Sequence, residues 1–169
     1  MAYVVAGPLF VFAVLLQCAV IPGSGLFGAR PDLLLVLVCA WAIVRSREEA
    51  MLAAPPAALL AGLLRAGPIG LPLLALIGPI GGAMLQRNLR GGGFFFRLML
   101  VVLLSTVWSS GLDLVVSFLS GQHTMYLAGI GSFGMGAIML NLLLATVLYW
   151  PFRLARKRTI ARATGLSLS

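Results

Sequence analysis

The chain has 169 residues, of which 61% are hydrophobic and only 9% charged, with 12 Lys and Arg against 4 Asp and Glu for a net charge of +8. So few polar residues cannot cover the surface of a soluble fold of this size, so lipid must cover it. The apolar runs do not alternate with polar residues as barrel strands would, which leaves an all-α polytopic membrane protein.

Six spans are predicted in one domain covering 1–169, at about 3–22, 31–45, 48–64, 68–86, 96–119 and 127–152. No positive residue precedes the first, and Leu15-Leu16-Gln17-Cys18 lacks the small residues expected before a lipoprotein cysteine. It is therefore read as a retained helix rather than a signal peptide. Cys18 and Cys39 both lie inside apolar runs, where core filling is the expected role rather than a disulfide. With one His they make no recognisable zinc or haem site, and no cofactor is expected.

Spans two and three are apolar runs from Leu33 to Val44 and from Ala50 to Leu64, separated by Arg45-Ser46-Arg47-Glu48-Glu49. Each run is shorter than the roughly 20 residues that cross a bilayer comfortably. The pentad cannot be merged into one long span, because a central Arg or Asp costs about 2.5–3.5 kcal/mol on insertion scales. The stretch is predicted to be a hairpin of two short helices turning at a membrane surface. Pro55-Pro56 in the second predicts a kink held against other helices, because the carbonyls they free need partners.

Span four is rich in Gly and Pro. Its Gly78 and Gly82 form a small-xxx-small pair, expected to serve close internal packing ahead of homodimerisation. In span five Ser105, Ser109, Asp113 and Ser117 recur every four residues, so one face is expected to look into protein. Asp113 is expected to pair with Arg65 or Arg30 near the outer surface, on the side where Asp32 also lies. A proton or ligand site is the rival, and the lack of a second acid in the core weighs against it.

The Lys and Arg residues fall between apolar runs and at the C-terminus, which is a membrane orientation signal and not a nucleic-acid-binding pattern. Six spans put Arg45, Arg47, Arg87, Arg90, Arg97, Arg153, Arg156, Lys157, Arg158 and Arg162 on the side of the termini, and only Arg30 and Arg65 opposite. Both termini are therefore expected to be cytoplasmic. The run Arg153, Arg156, Lys157 and Arg158 is expected to anchor the last helix at an anionic leaflet, at about 1 kcal/mol per residue.

Two motifs are discounted. Gly129-Ile130-Gly131-Ser132-Phe133-Gly134 matches a dinucleotide fingerprint, but no strand precedes it and no acid follows it. Ser24 and His123 could suggest an intramembrane protease, yet both fall in predicted outer loops with nothing to orient the His. No catalytic set remains. The surfaces best supplied for binding another membrane protein are Gly7, Pro8 and Gln17 on span one and Gly131, Gly134 and Asn141 on span six, with the hairpin as a further contact.

Pro31-Asp32-Leu33-Leu34-Leu35, the pentad Arg45 to Glu49, Ala61-Gly62-Leu63-Leu64 and Gly67-Pro68-Ile69-Gly70-Leu71 resemble the rod-shape-determining MreD family. So does the ending, with Asn141, Tyr149, Pro151, Arg153 and a basic tail. The family's acid after Gly-Leu-Leu is not matched, since Arg65-Ala66-Gly67 follow here. The resemblance implies a non-enzymatic component of bacterial cell elongation in the inner membrane. It would bind MreC and work beside RodA, its transpeptidase partner and MreB in support of peptidoglycan synthesis. It also implies a fold similar to the S-components of energy-coupling-factor transporters. That similarity supplies the rival reading, a vitamin-binding subunit whose docking pair would be Ala2 and Ala6. The outer loops offer few polar groups to grip such a ligand beyond Gln122, His123 and Tyr126. A lipid-handling enzyme is a further rival, for which the sequence has no acidic metal cluster.

Overall fold

A computed structural model describes residues 3–20, 31–44, 47–64, 68–85, 93–121 and 130–163. Every regular element among them is a helix: α1 Tyr3–Val20, α2 Leu33–Val44, α3 Arg47–Leu64, α4 Leu71–Ala75, α5 Ile77–Leu85, α6 Phe94–Leu119 and α7 Ile130–Ala163. Two helices have stretches long and apolar enough to cross a membrane, Phe94–Leu119 and Gly134–Leu154, and the shorter apolar ones are Ala6–Ala19, Leu33–Val44 and Leu71–Leu85.

The core is built around α2. It packs against α1, α3, α5, α6 and α7, and every residue from Leu34 to Ala42 is buried. Asp32 starts this helix as its N-cap: its carboxylate accepts from Leu35 N–H at 3.1 Å and its carbonyl from Val36 N–H at 3.1 Å. The expected hairpin is present in outline, with α2 ending at Val44, α3 starting at Arg47 and the two helices packed together. Trp41 near the end of α2 donates to Glu49 in the first turn of α3 at 3.2 Å. The expectation that the hairpin contacts a partner is corrected for its first helix, because α2 is enclosed by the protein's own helices.

Span four is broken into α4 and α5 at Leu76. Pro79 has no N–H to give the Ala75 carbonyl, and at the break Leu76 N–H donates to Leu73 O at 3.2 Å. The Leu74 carbonyl accepts from the Trp108 indole at 3.1 Å. The close packing expected of the small pair is found inside the molecule, between α5 and α6. A Cβ on Gly78 would lie 3.1 Å from the Ser105 Cα, and one on Gly82 3.0 Å from Val101 Cγ1. A Cβ on Gly62 would run into the Ile69 carbonyl, so glycine there lets α3 fold back tightly against the start of span four.

α3 keeps close to its expected bounds of 48–64, and α7 runs beyond its expected end. α3 continues through Pro55 and Pro56, with Pro55 half-buried and Pro56 exposed. α7 runs through Pro151 and on to Ala163, so the basic stretch after Trp150 belongs to the helix. At 34 residues α7 is about 50 Å long, more than the ~30 Å hydrocarbon core.

Candidate functional site

The side chains with the most to say are grouped at the two ends of α2, in a groove on the outside of α1 and α3, and where α6 begins beside α7.

At the start of α2 the chain must satisfy the helix's first N–H groups inside an apolar bundle. Three other helices bring the means. Asn141 of α7 accepts the Asp32 N–H on its Oδ1 at 2.7 Å and donates through Nδ2 to Thr106 Oγ1 of α6 at 3.1 Å. The Thr106 hydroxyl in turn donates to the Val102 carbonyl at 2.8 Å. Gln17 of α1 accepts Leu34 N–H on its Oε1 at 3.3 Å. Gln17, Thr106 and Asn141 are all buried. Gln17 and Asn141, expected at a partner interface, thus face inward. Their short polar arms are used on the protein's own backbone, where an unmet N–H would cost about 1–3 kcal/mol.

The far end of α2 is held by rings. Trp41 meets Phe10 of α1 edge to face at 6.0 Å between centroids, and Phe152 of α7 at 6.5 Å. Between the two ends, the Cys39 thiol donates to Ser105 Oγ at 3.5 Å, and Ser105 donates to the Val101 carbonyl at 2.7 Å. No group of three or more His, Cys, Asp or Glu able to hold a metal occurs among the described residues.

The polar row expected along span five is only partly inward. Ser105 is buried, Ser109 and Ser117 are half-buried, and Asp113 is exposed. Arg30 and Arg65 lie outside the described residues, and so does the expected pairing of Asp113 with either. Ser24, Gln122, His123 and Tyr126 also lie outside them.

On the outer face, Gly7 and Val11 of α1 meet Leu52, Ala53 and Pro56 of α3 around an open apolar groove of about 290 Å³. A Cβ on Gly7 would meet nothing within 4 Å, and Pro8 beside it is exposed. Pro56 also lacks the N–H that would have bonded the Leu52 carbonyl. Gly134 on α7 is half-buried with open space beside it, and Gly131 lies within the first turn of the same helix.

Where α6 begins, the Phe94 and Phe95 rings pack on Tyr149 of α7 at 5.6 and 5.1 Å. The Arg153 guanidinium lies 5.8 Å from the Tyr149 ring centroid. Arg156, Lys157 and Arg158 follow within α7, and their side chains lie outside the described residues.

Sequence reasoning missed Thr106, Trp41 and the ring pair around it. The adjacent Ser105-Thr106 in an apolar helix was the available signal for the first, since a four-residue spacing rule selects only one of two neighbours. A family model described as rod shape-determining protein MreD matches residues 1–158. No curated protein and no solved structure matches the chain.

Proposed function

Because the chain belongs to the MreD family of rod shape-determining proteins, we propose that it is a non-enzymatic scaffold of bacterial cell elongation in the cytoplasmic membrane. In this reading it binds the single-span protein MreC, works beside RodA, its transpeptidase partner and MreB, and so supports peptidoglycan synthesis. What supports a binding role over chemistry is how the polar side chains are used. Gln17, Asp32, Thr106 and Asn141 bond helix ends and one another, holding the bundle in one arrangement.

The groove between α1 and α3 is the observation that carries the docking face. Lipid gives helices no hydrophobic drive to associate, so close backbone approach and a few polar contacts must supply it. Gly7 permits the approach, and the Leu52 carbonyl, deprived of its N–H partner by Pro56, suits a hydroxyl-bearing residue on the incoming helix. Gly131 and Gly134 on α7 form the competing face. Copurification of MreC separates them: Gly7→Leu should abolish it, and Gly134→Leu should leave it. The opposite pattern with both variants folded would move the contact to α7, and no loss in either would remove both faces.

Six alternating passes with both termini cytoplasmic complete the reading. Two observations support it. Gln17 with Leu34 and Phe10 with Trp41 make α1 and α2 antiparallel, and the ten-to-two distribution of positive residues favours one side. Asp113 would pair with Arg30 or Arg65 on the opposite side. Single cysteines at Ser46 and Gln122, in a chain with Cys18 and Cys39 replaced, should label from opposite faces of the membrane. Labelling of both from one face would eliminate this topology.

A further inference from the structure

Arg97 is an arginine in the wrong place for a freely solvated charge. It lies one turn inside the start of α6, next to Leu98 and four residues before Val101, at the edge of the helix's buried stripe, and is half-buried. Its Nε is buried and has no hydrogen-bond partner among the described residues. A buried guanidinium donor normally finds an anion or a carbonyl. The chain's four acids are Asp32, Glu48, Glu49 and Asp113. Asp32 caps the start of α2, Glu49 accepts from the Trp41 indole, Glu48 is exposed in the first turn of α3, and Asp113 is more than four turns further along α6.

The surroundings suit a lipid. Arg153 rests on Tyr149, the ring against which Phe94 and Phe95 pack, so a second guanidinium is close to the same helix start. Outward from these charges, Phe95, Phe96, Trp150 and Leu154 present exposed apolar surface. Aromatic rings with arginines at one end of apolar helices mark the depth where headgroups lie. The start of α6 adds positive helix-dipole potential, with no side-chain cap at Gly93 to neutralise it.

We propose that Arg97, together with Arg153, binds the headgroup phosphate of an anionic phospholipid whose acyl chains lie along Phe95, Phe96 and Trp150. The proposal stands apart from MreC binding, which is placed on α1 and α3. An arginine–phosphate contact is bidentate and charge-assisted, stronger than the diffuse attraction of an exposed basic tail.

The experiment uses full-length protein, delipidated in detergent and titrated with short-chain phosphatidylglycerol. Phosphatidylcholine of the same chain length and inorganic phosphate are run in parallel. Thermal midpoint and native mass spectrometry report binding. Phosphatidylglycerol is expected to bind and stabilise. Arg97→Leu should weaken its apparent affinity by roughly tenfold or more, and Arg153→Gln by a smaller factor. Without lipid, Arg97→Leu should be at least as stable as the parent, because it removes a buried donor that has no partner. A residue needed only for packing would not give that reversal. The triple variant Arg156→Gln, Lys157→Gln, Arg158→Gln should retain binding. Three results would each overturn the site: equal affinity for phosphatidylcholine, an equal response to inorganic phosphate alone, or loss of binding in the tail variant with retention in Arg97→Leu. Should Arg97→Leu not fold, Arg97→Lys and Arg153→Gln carry the test, and undiminished preference for phosphatidylglycerol in both refutes it.

Discussion

α2 and α7 are both apolar, yet one is the centre of the molecule and the other has an outside. α2 is 12 residues long, about 18 Å, and its residues from Leu34 to Ala42 are all buried. α7 carries an outward row, Met135, Met139, Leu143, Val147, Trp150 and Leu154, and an inward row that includes Asn141, Ala145 and Phe152. In water an outward row of that kind would be an aggregation site; in lipid it is ordinary. Apolarity therefore does not sort inside from outside here. What sorts them is the need to satisfy backbone. A helix too short to reach both membrane surfaces leaves N–H groups at hydrocarbon depth, so it must be enclosed and capped by its neighbours.

The comparison is broken most severely at the ring end of α2. Trp41→Ala removes the side chain that Phe10 and Phe152 both pack against, and large aromatic truncations in cores cost about 3–5 kcal/mol. Thermal unfolding in detergent should show the largest loss of any single substitution considered, with α1 and α7 no longer held to α2. A midpoint close to the parent's would mean that α2 is not the central element.

The polar end should respond next. Asn141→Leu leaves the Asp32 N–H without its acceptor and Thr106 without its donor, at about 1–3 kcal/mol for the stranded N–H. Thr106→Val keeps the Asp32 contact and should cost less. Equal losses in the two variants would show that the Asn141–Thr106 contact matters and the helix cap does not.

How much of this was legible follows the same division. The charged pentad placed the break between α2 and α3 to within a residue or two, because the cost of burying charge is local and large. Gly78 and Gly82 announced close packing, although only the fold says that Val101 and Ser105 are the neighbours. The inward role of Asn141 was not legible, since its bond to Asp32 spans 109 positions. A polar residue in an apolar helix advertises a need for a partner, but not whether that partner lies in its own chain or another. The same ambiguity misplaced Gln17. The break at Leu76 and the continuation of α7 through Pro151 show proline reading both ways.

The smallest expected effect sharpens the comparison from the other side. Leu143 and Val147 stand on the outward row of α7, 61% and 69% exposed, while Ala145 between them is fully buried. Changing either outward residue to Ala removes contacts with lipid or detergent only, and no cavity forms because fluid chains fill the space. Stability should move by no more than about 0.5 kcal/mol, as for surface substitutions away from special features. Ala145→Leu, between the same two positions, adds volume to the closed side facing the other helices and should cost about 1–3 kcal/mol through overpacking. Neighbouring residues of one apolar helix would then differ several-fold in effect according to the face they occupy. If Leu143→Ala and Val147→Ala destabilise as much as Ala145→Leu, the outward row is buried against something in the purified protein, and α7 has no lipid face to set against α2.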